Sequence, residues 1–242
     1  MQQHEVILEA KGVEKSFGGV KALSRIDFTL KQGELRCLIG PNGAGKSTFF
    51  KLLSGQLKPT KGDIVFSGKS IVAQEPHTIA RWGMGIKNQV PTVMDWLTAN
   101  ENLWLAARAS YPASQSQKVV DEVIERLDLS SIASRLVGEL AHGQRQWVEI
   151  GMVIIRKPKV VLLDEPAAGM SDEETVKTAN LIKEINRTSA VVVVEHDMAF
   201  IQKIAELVTV FHQGKVLMES TFNDVVSNQR VRNVYLGRGI GE

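Results

Sequence analysis

The chain has 242 residues, 43% hydrophobic and 23% charged, a composition typical of a globular protein with a sizeable core. Its 29 basic and 27 acidic residues leave a net charge of +2, which gives no footprint of a nucleic-acid-binding surface. The single cysteine, Cys37, excludes an internal disulfide and any multi-cysteine metal site, and its apolar surroundings predict a buried position.

The start of the chain is polar, and no apolar run reaches the roughly 18 residues that a membrane-spanning helix requires. We therefore expect a soluble, cytosolic chain whose contact with a membrane is made through a partner.

Short apolar runs alternate with helical stretches along most of the chain. The runs that predict strands are 6–8, 26–30, 34–40, 64–66, 160–163 and 190–194. The last two are continuous and β-branched, as in central strands covered on both faces of a sheet. Between them, residues 173–185 predict a helix with an apolar face of Val176, Leu181, Ile182 and Ile185. The alternation predicts an α/β fold with a largely parallel sheet.

The middle of the chain has a different pattern. Residues 96–157 predict mostly helix, with apolar residues at helical spacing over 119–127 and a polar inter-helix loop at 114–117. We interpret 90–157 as a helical subdomain inserted into an α/β core made of 1–89 and 158–221. Residues 222–242 form a C-terminal tail, and the whole chain is one domain.

A glycine-rich stretch follows the predicted strand at 35–39. Its residues fit the pattern G-x-x-x-x-G-K-[ST] and are followed by a threonine: Gly40, Pro41, Asn42, Gly43, Ala44, Gly45, Lys46, Ser47 and Thr48. Glycines let backbone N–H groups turn toward phosphate oxygens, and the helix that starts there presents the positive end of its dipole. Lys46 would reach the terminal phosphates and Ser47 would ligate Mg²⁺. The stretch therefore predicts a site for a nucleoside triphosphate.

A phosphate loop occurs in many ATPases and GTPases, so a second motif is needed to identify the class. Leu-Ala-His-Gly-Gln at 140–144 precedes Val-Val-Leu-Leu-Asp-Glu-Pro at 160–166, and His196 follows the next strand. Over almost the whole chain, this order resembles the nucleotide-binding domains of ABC transporters. The resemblance implies a P-loop NTPase core with an inserted helical subdomain, ATP and Mg²⁺ as cofactors, and ATPase activity.

The resemblance also implies roles for individual residues. Glu165 is the catalytic carboxylate, with His196 as switch histidine and Gln89 as a glutamine that also meets the metal. Asp164 ends the Walker B strand and holds Mg²⁺ with Ser47. Phe17 stacks on adenine, although a place in the core is an alternative for this aromatic side chain. The signature residues contact ATP: Ala141, His142, Gly143 and Gln144.

Independently of the family, Asp164 and Glu165 follow a buried strand, where ligands of α/β sheets gather. The signature stands just before a predicted helix, 143–156, whose free N–H groups suit an anion and whose buried face is Trp147, Ile150, Gly151 and Ile154. The chain has no second phosphate loop for this helix to serve. In the family, the motif completes the ATP site of an opposing subunit, so we expect a head-to-tail dimer whose closure drives transport.

The motifs depart from the usual family pattern at three positions. Ala141 and His142 stand where serine and glycine are usual, so one donor to the γ-phosphate is lost. Ser171 stands where aspartate is usual, and whether the following Asp172 substitutes for it is open.

The segments 141–147, 149–152, 165–170 with 172–174, and 234–238 resemble urea ABC transporter ATP-binding subunits, although Asn88 and residues 94–99 diverge from that group. Branched-chain amino-acid import ATPases are the alternative. A non-transport ABC ATPase and a regulatory module without hydrolysis are alternatives of another class. The implied partners are a second nucleotide-binding subunit, membrane permeases and, indirectly, a solute-binding protein. The second subunit is either a paralogue, which the resemblance favours, or another copy of this chain. The expected location is the cytoplasmic face of the plasma membrane.

Overall fold

The structure is a computed structural model, and it describes residues 5–88 and 92–235. Within these ranges the strands form two sheets. An antiparallel sheet has the order β2-β1-β4-β5, where β1 is Val6–Phe17, β2 Val20–Lys31, β4 Lys61–Phe66 and β5 Lys69–Ser70. A second sheet has the order β10-β9-β3-β8-β7-β6, where β3 is Leu35–Ile39, β6 Met84–Lys87, β7 Val160–Asp164, β8 Ala190–Val194, β9 Leu207–His212 and β10 Lys215–Ser220. All its pairs are parallel except the edge pair β9–β10.

The helices of the described residues lie before, within and after the predicted insertion. They are α1 Lys46–Leu53, α2 Pro76–Arg81, α3 Ala99–Arg108, α4 Ala113–Arg126, α5 His142–Ile154, α6 Asp172–Asn186, α7 Met198–Ile204, α8 Phe222–Ser227 and α9 Gln229–Tyr235. None of these helices is both long and apolar enough to cross a lipid bilayer.

The central strands separate two hydrophobic cores. Every residue of β3, β7 and β8 is buried, because both faces of the parallel sheet are covered. Alternate side chains of a strand point to opposite faces. Thus Val191 and Val193 pack in the core under the helices α3 to α6, whereas Val192 and Val194 pack toward α1 and the antiparallel sheet. The predicted α/β fold is confirmed, and Cys37 is buried as expected.

The helical middle of the chain differs from the prediction at one point. Residues 114–117, predicted as a loop, lie in the first turn of α4. Pro112 immediately precedes the helix at the N-cap position, and its carbonyl accepts a hydrogen bond from Ser116 Oγ at 3.0 Å. Proline fixes a backbone angle that suits a helix start, and a serine bonded back to the preceding turn is compatible with helix. The polar composition therefore indicated a helix start.

One further expectation is corrected in the core, and several elements were not predicted. Val176 is 45% exposed, and the buried residues of α6 begin two positions later, at Thr178, Ala179, Leu181, Ile182 and Ile185. The strand β6 was not predicted. The segment after residue 222 folds into α8 and α9, which insert Val225 and Val231 into the core under the helices.

Candidate functional site

The phosphate loop connects the buried strand β3 to the helix α1. Gly40, Gly43 and Gly45 all have positive φ angles, of 146°, 78° and 105°. A Cβ on Gly40 would lie 2.2 Å from the carbonyl oxygen of Phe211, and one on Gly45 would lie 2.6 Å from Leu23 Cδ2. Glycine is therefore required at the two ends of the loop for both conformation and space.

Lys46 starts α1 and is only 8% exposed. Its Nζ donates hydrogen bonds to the carbonyl oxygens of Gly40 at 2.6 Å and Pro41 at 3.1 Å. Burial lowers the pKa of this ammonium group, while the charges of Glu165 and Asp164 act in the opposite direction. The cation therefore lies inside the curve of the loop and within electrostatic reach of both carboxylates.

The carboxylates follow β7, beside β8. Asp164 is 8% exposed, and burial, followed by the charge of Glu165, raises its pKa. Glu165 has a positive φ of 46°, and its N–H donates to Val194 O at 2.9 Å. This conformation is uncommon outside glycine and asparagine, and such strain is frequent at functional sites. His196 Nδ1 lies 3.4 Å from Glu165 Oε1.

The oxygen donors at this edge fit Mg²⁺. Asp164 offers a carboxylate and Ser47, in the first turn of α1, a hydroxyl, and Mg²⁺ prefers oxygen ligands. Across residues 5–88 and 92–235, no group of three or more His, Cys, Asp or Glu side chains could hold a metal by itself. Gln89, the third expected metal contact, lies outside the described residues.

Glu195 is a site residue that the sequence reasoning missed. It stands between β8 and His196, is 1% exposed, and has a pKa raised by burial. One of its oxygens accepts from Ala167 N–H at 3.2 Å and the other from His196 N–H at 3.0 Å. The side chain thus joins the backbone after Glu165 to the backbone of His196. An acidic residue directly after an apolar strand was the available signal.

Phe17 lies at the end of β1 and is 48% exposed, so the alternative of a core aromatic is wrong. Lys15 Nζ lies 5.1 Å from the centroid of its ring. An exposed aromatic ring can stack on a planar base, so its assignment to adenine stays a prediction.

The signature residues form the start of α5, with Ala141 at the N-cap and the next three residues in the first turn. Gln144 Oε1 accepts from Ala141 N–H at 3.2 Å. A Cβ on Gly143 would lie 2.5 Å from Glu174 Oε1, so a side chain at this position would require the Glu174 side chain to move. His142 points toward its own chain, with Nε2 3.1 Å from Ala168 O. The predicted buried face of the helix is confirmed, since Trp147, Ile150, Gly151 and Ile154 are all buried.

Ser171, where the family usually has aspartate, has a local role in this chain. It is the N-cap of α6, its Oγ accepts from Glu174 N–H at 3.3 Å, and Glu174 Oε2 accepts from Ser171 N–H at 2.9 Å. This reciprocal pair is a capping box. Asp172 is the first helical residue, so it does not occupy the cap.

A cleft of about 880 Å³ separates the α2–β6 edge of the core from α3 and α5. Apolar residues such as Met84 and Met152 line it, with Arg81 and Arg156 among its charged residues. Lys87 and Glu149 also line it, with their charged atoms 3.9 Å apart. The cleft is therefore bordered on one side by the nucleotide-binding core and on the other by the helix that carries the signature.

Comparison with known proteins agrees with this site. Residues 23–168 match the family model described as ABC transporter. The chain is 32% identical to the high-affinity branched-chain amino acid transport ATP-binding protein BraF of Pseudomonas aeruginosa, over 96% of this chain and 98% of that protein. It superposes on the ADP conformation of MJ1267, an ATP-binding cassette of an ABC transporter, with a TM-score of 0.87, 27% identity and coverage of 96% and 99%. A dimeric structure of MJ0796, a bacterial ABC transporter cassette, gives a TM-score of 0.80, 25% identity and coverage of 89% and 99%.

The chain therefore belongs to the ABC transporter family, as an ATP-hydrolysing, ATP-binding subunit.

Proposed function

We propose that this subunit binds Mg-ATP between itself and a second nucleotide-binding subunit and hydrolyses it to power an importer. The observation that carries the proposal is the meeting of Lys46, Asp164, Glu165 and His196 at one edge of the parallel sheet. A cation in a phosphate loop, a buried carboxylate and a carboxylate beside a histidine are the groups that phosphoryl transfer requires.

Each residue has a distinct task in this proposal. Lys46 and the loop N–H groups hold the phosphates, and Phe17 stacks on the adenine. Asp164 and Ser47, with Gln89, hold Mg²⁺, which when bound neutralises charge on the phosphates. Glu165 accepts a hydrogen bond from the attacking water and orients it, and His196 contacts the γ-phosphate. Phosphoryl transfer depends mainly on such positioning and on charge stabilisation.

The second subunit supplies the start of its α5 helix. Ala141 has no side-chain hydroxyl, so backbone N–H groups of residues 141–144 make the phosphate contacts in place of serine. The dimer of the MJ0796 cassette supports this assembly. Two ATP molecules then close the dimer and hydrolysis reopens it, which is a two-state mechanical output. We propose a heterodimer with a paralogous subunit.

We further propose that the inserted helices, within 90–157, pass this movement to the permease subunits. The 880 Å³ cleft supports this division, because a permease segment bound there would contact both the core and α5. Its apolar lining and the two arginines suit a short segment with apolar and acidic side chains. The subunit would then sit on the cytoplasmic face of the plasma membrane, held there by the permeases, with a solute-binding protein on the other side.

Urea is the first candidate for the imported solute, supported by the sequence of the signature region and of the segment after Glu165. Branched-chain amino acids are the second candidate, supported by the similarity to BraF. No side chain of this subunit is expected to touch the solute, so the permeases and the binding protein determine the choice.

The central test measures phosphate release by the purified chain with its partner subunits, and light scattering at saturating Mg-ATP. We expect Lys46→Ala to lose ATP binding, and Glu165→Gln to bind ATP but accumulate as a closed dimer. A Glu165→Gln chain that stayed monomeric at saturating Mg-ATP in the presence of its partner subunit, or a complete complex without phosphate release, would refute the proposal. Uptake of labelled urea and labelled leucine by cells with and without the gene then distinguishes the two solutes.

A further inference from the structure

The side chain of His142 connects two loops that are distant in sequence. One is the signature at residues 141–144, and the other is residues 167–171, which we call the 167–171 loop. His142 Nε2 lies 3.1 Å from Ala168 O and 2.9 Å from Gln146 Nε2, while Cδ2 lies 3.4 Å from where a Cβ on Gly169 would stand. Glycine, the usual family residue at this position, has no side chain and cannot make this connection.

The geometry defines where the ring carries its proton. A bare nitrogen lone pair 3.1 Å from a carbonyl oxygen would be repulsive, so Nε2 carries hydrogen and donates it to Ala168 O. Gln146 Oε1 is buried and has no hydrogen-bond partner among the described residues. Oxygen and nitrogen of an amide are assigned from the surrounding network. Turning this amide lets Oε1 share the single Nε2 hydrogen with Ala168 O and leaves the amide nitrogen in the position without a partner.

Hydrogen bonds continue from the 167–171 loop into the chain's own ATP site. Ala167, next to the residue that His142 holds, donates its N–H to Glu195 Oε1 at 3.2 Å. The other oxygen of Glu195 accepts from His196 N–H at 3.0 Å. Glu195 is buried, so both bonds are shielded from water and are stronger for it. His196 Nδ1 in turn lies 3.4 Å from Glu165 Oε1.

We propose that His142 is a positioning residue that links the signature to the hydrolysis site of its own chain through Ala168, Ala167 and Glu195. The signature meets the ATP bound by the partner subunit, so closure at that site fixes His196 at the other. The inference rests on the proposed function, since it needs a second subunit. The family resemblance implied that His142 contacts ATP. In this inference its side chain instead binds the 167–171 loop of its own chain.

Two variants of equal length test this link. In His142→Gln, the amide nitrogen is as many bonds from Cα as Nε2 and can donate to Ala168 O. In His142→Met, the chain length is kept but the donor is lost. Phosphate release at increasing Mg-ATP gives kcat, KM and the Hill coefficient, and a fluorescent ATP analogue gives affinity. We expect His142→Met to lower kcat about five- to tenfold and bring the Hill coefficient toward one, with affinity changed less than about twofold.

His142→Gln is expected to keep at least about half of the wild-type kcat. The inference is overturned if His142→Met has wild-type kcat and Hill coefficient, if both variants are equally slow, or if the main loss is in ATP affinity. If His142→Met does not fold, Glu195→Gln is the second variant, because it removes one acceptor of the link. It must lower kcat without changing the affinity for ATP. A Glu195→Gln chain with wild-type kcat overturns the inference. Absence of hydrolysis by the wild type refutes the proposed function, whereas an active wild type with unaffected variants refutes the link alone.

Discussion

The buried pair of Lys87 and Glu149 allows a quantitative prediction. Their side chains are 2% and 4% exposed, with 3.9 Å between Nζ and Oε2. Glu149 Oε1 also accepts from Thr92 N–H at 2.5 Å, whereas Oε2 has no hydrogen-bond partner in the part of the chain that the structure describes. Lys87→Met would leave this carboxylate buried without its neighbouring cation. Breaking such a pair costs about 3–5 kcal/mol.

The expected loss lies at the low end, about 3 kcal/mol, because the carboxyl group can take up a proton instead of staying charged. Burial already raises the pKa of Glu149 in the folded chain. The folded state therefore binds this proton more readily than the unfolded state, and acidification relieves the cost. The destabilisation by Lys87→Met should thus be smaller at about pH 5.5 than at about pH 8.

Urea unfolding followed by circular dichroism measures the free energy of unfolding from the midpoint and slope. The matched control is Lys157→Met, whose pair with Glu122 has a similar distance, 3.7 Å, but side chains 69% and 49% exposed. It should lose at most about 1 kcal/mol. Adding Glu149→Leu to Lys87→Met should recover most of the stability, because no buried charge remains. Equal losses in Lys87→Met and Lys157→Met, or no recovery in the double variant, would refute the reasoning.

Four further changes have defined outcomes. Ala141→Ser supplies the missing N-cap acceptor of α5 and should raise the free energy of unfolding by about 1 kcal/mol, measured in urea. Gly40→Ala should abolish binding of a fluorescent ATP analogue, whereas Gly19→Ala, with open space around its Cβ position, should bind normally. Because the pKa of Asp164 is raised, protons should compete with Mg²⁺ for this carboxylate at pH values above the range in which an aspartate usually titrates. Hydrolysis at limiting Mg²⁺ should therefore fall on acidification and recover with excess Mg²⁺. Phe17→Ala should weaken analogue binding by about 1 kcal/mol, and unchanged affinity would remove this residue from the site.

The sequence predicted the parallel sheet better than the antiparallel one. The limits of β8 were predicted without error, because a strand buried on both faces is a continuous apolar run. In β1 only residues 6–8 were predicted, although the strand extends to Phe17. Its pairing with β2 shifts register between Ala10 and Val13, which breaks the alternation that indicates a strand. The four-residue edge strand β6 is too short to give a periodic signal.

The same contrast holds for the site. The phosphate loop and the pair Asp164 and Glu165 were predictable because their residues are adjacent in sequence and their chemistry is local. The capping box of Ser171 was also readable as Ser-x-x-Glu, but it was overlooked. The direction of the His142 side chain was not readable, because its partner Ala168 is 26 residues away and meets it only in the folded chain.

The position of the inserted helices has a consequence for how such cassettes diversify. β6 and β7 are neighbouring parallel strands, with Met84 opposite Val160 and Lys87 opposite Leu163. The chain thus leaves the sheet at the end of β6, at Lys87, and returns at the start of β7, at Val160. Along the direction of the strands these two residues are offset by three positions, or about 10 Å. The whole helical region is a crossover between two adjacent strands, enlarged into a subdomain. Because the ends of this segment lie so close together, its helices outside Gln89 and the signature can change in length and sequence between related cassettes without altering the order of the strands.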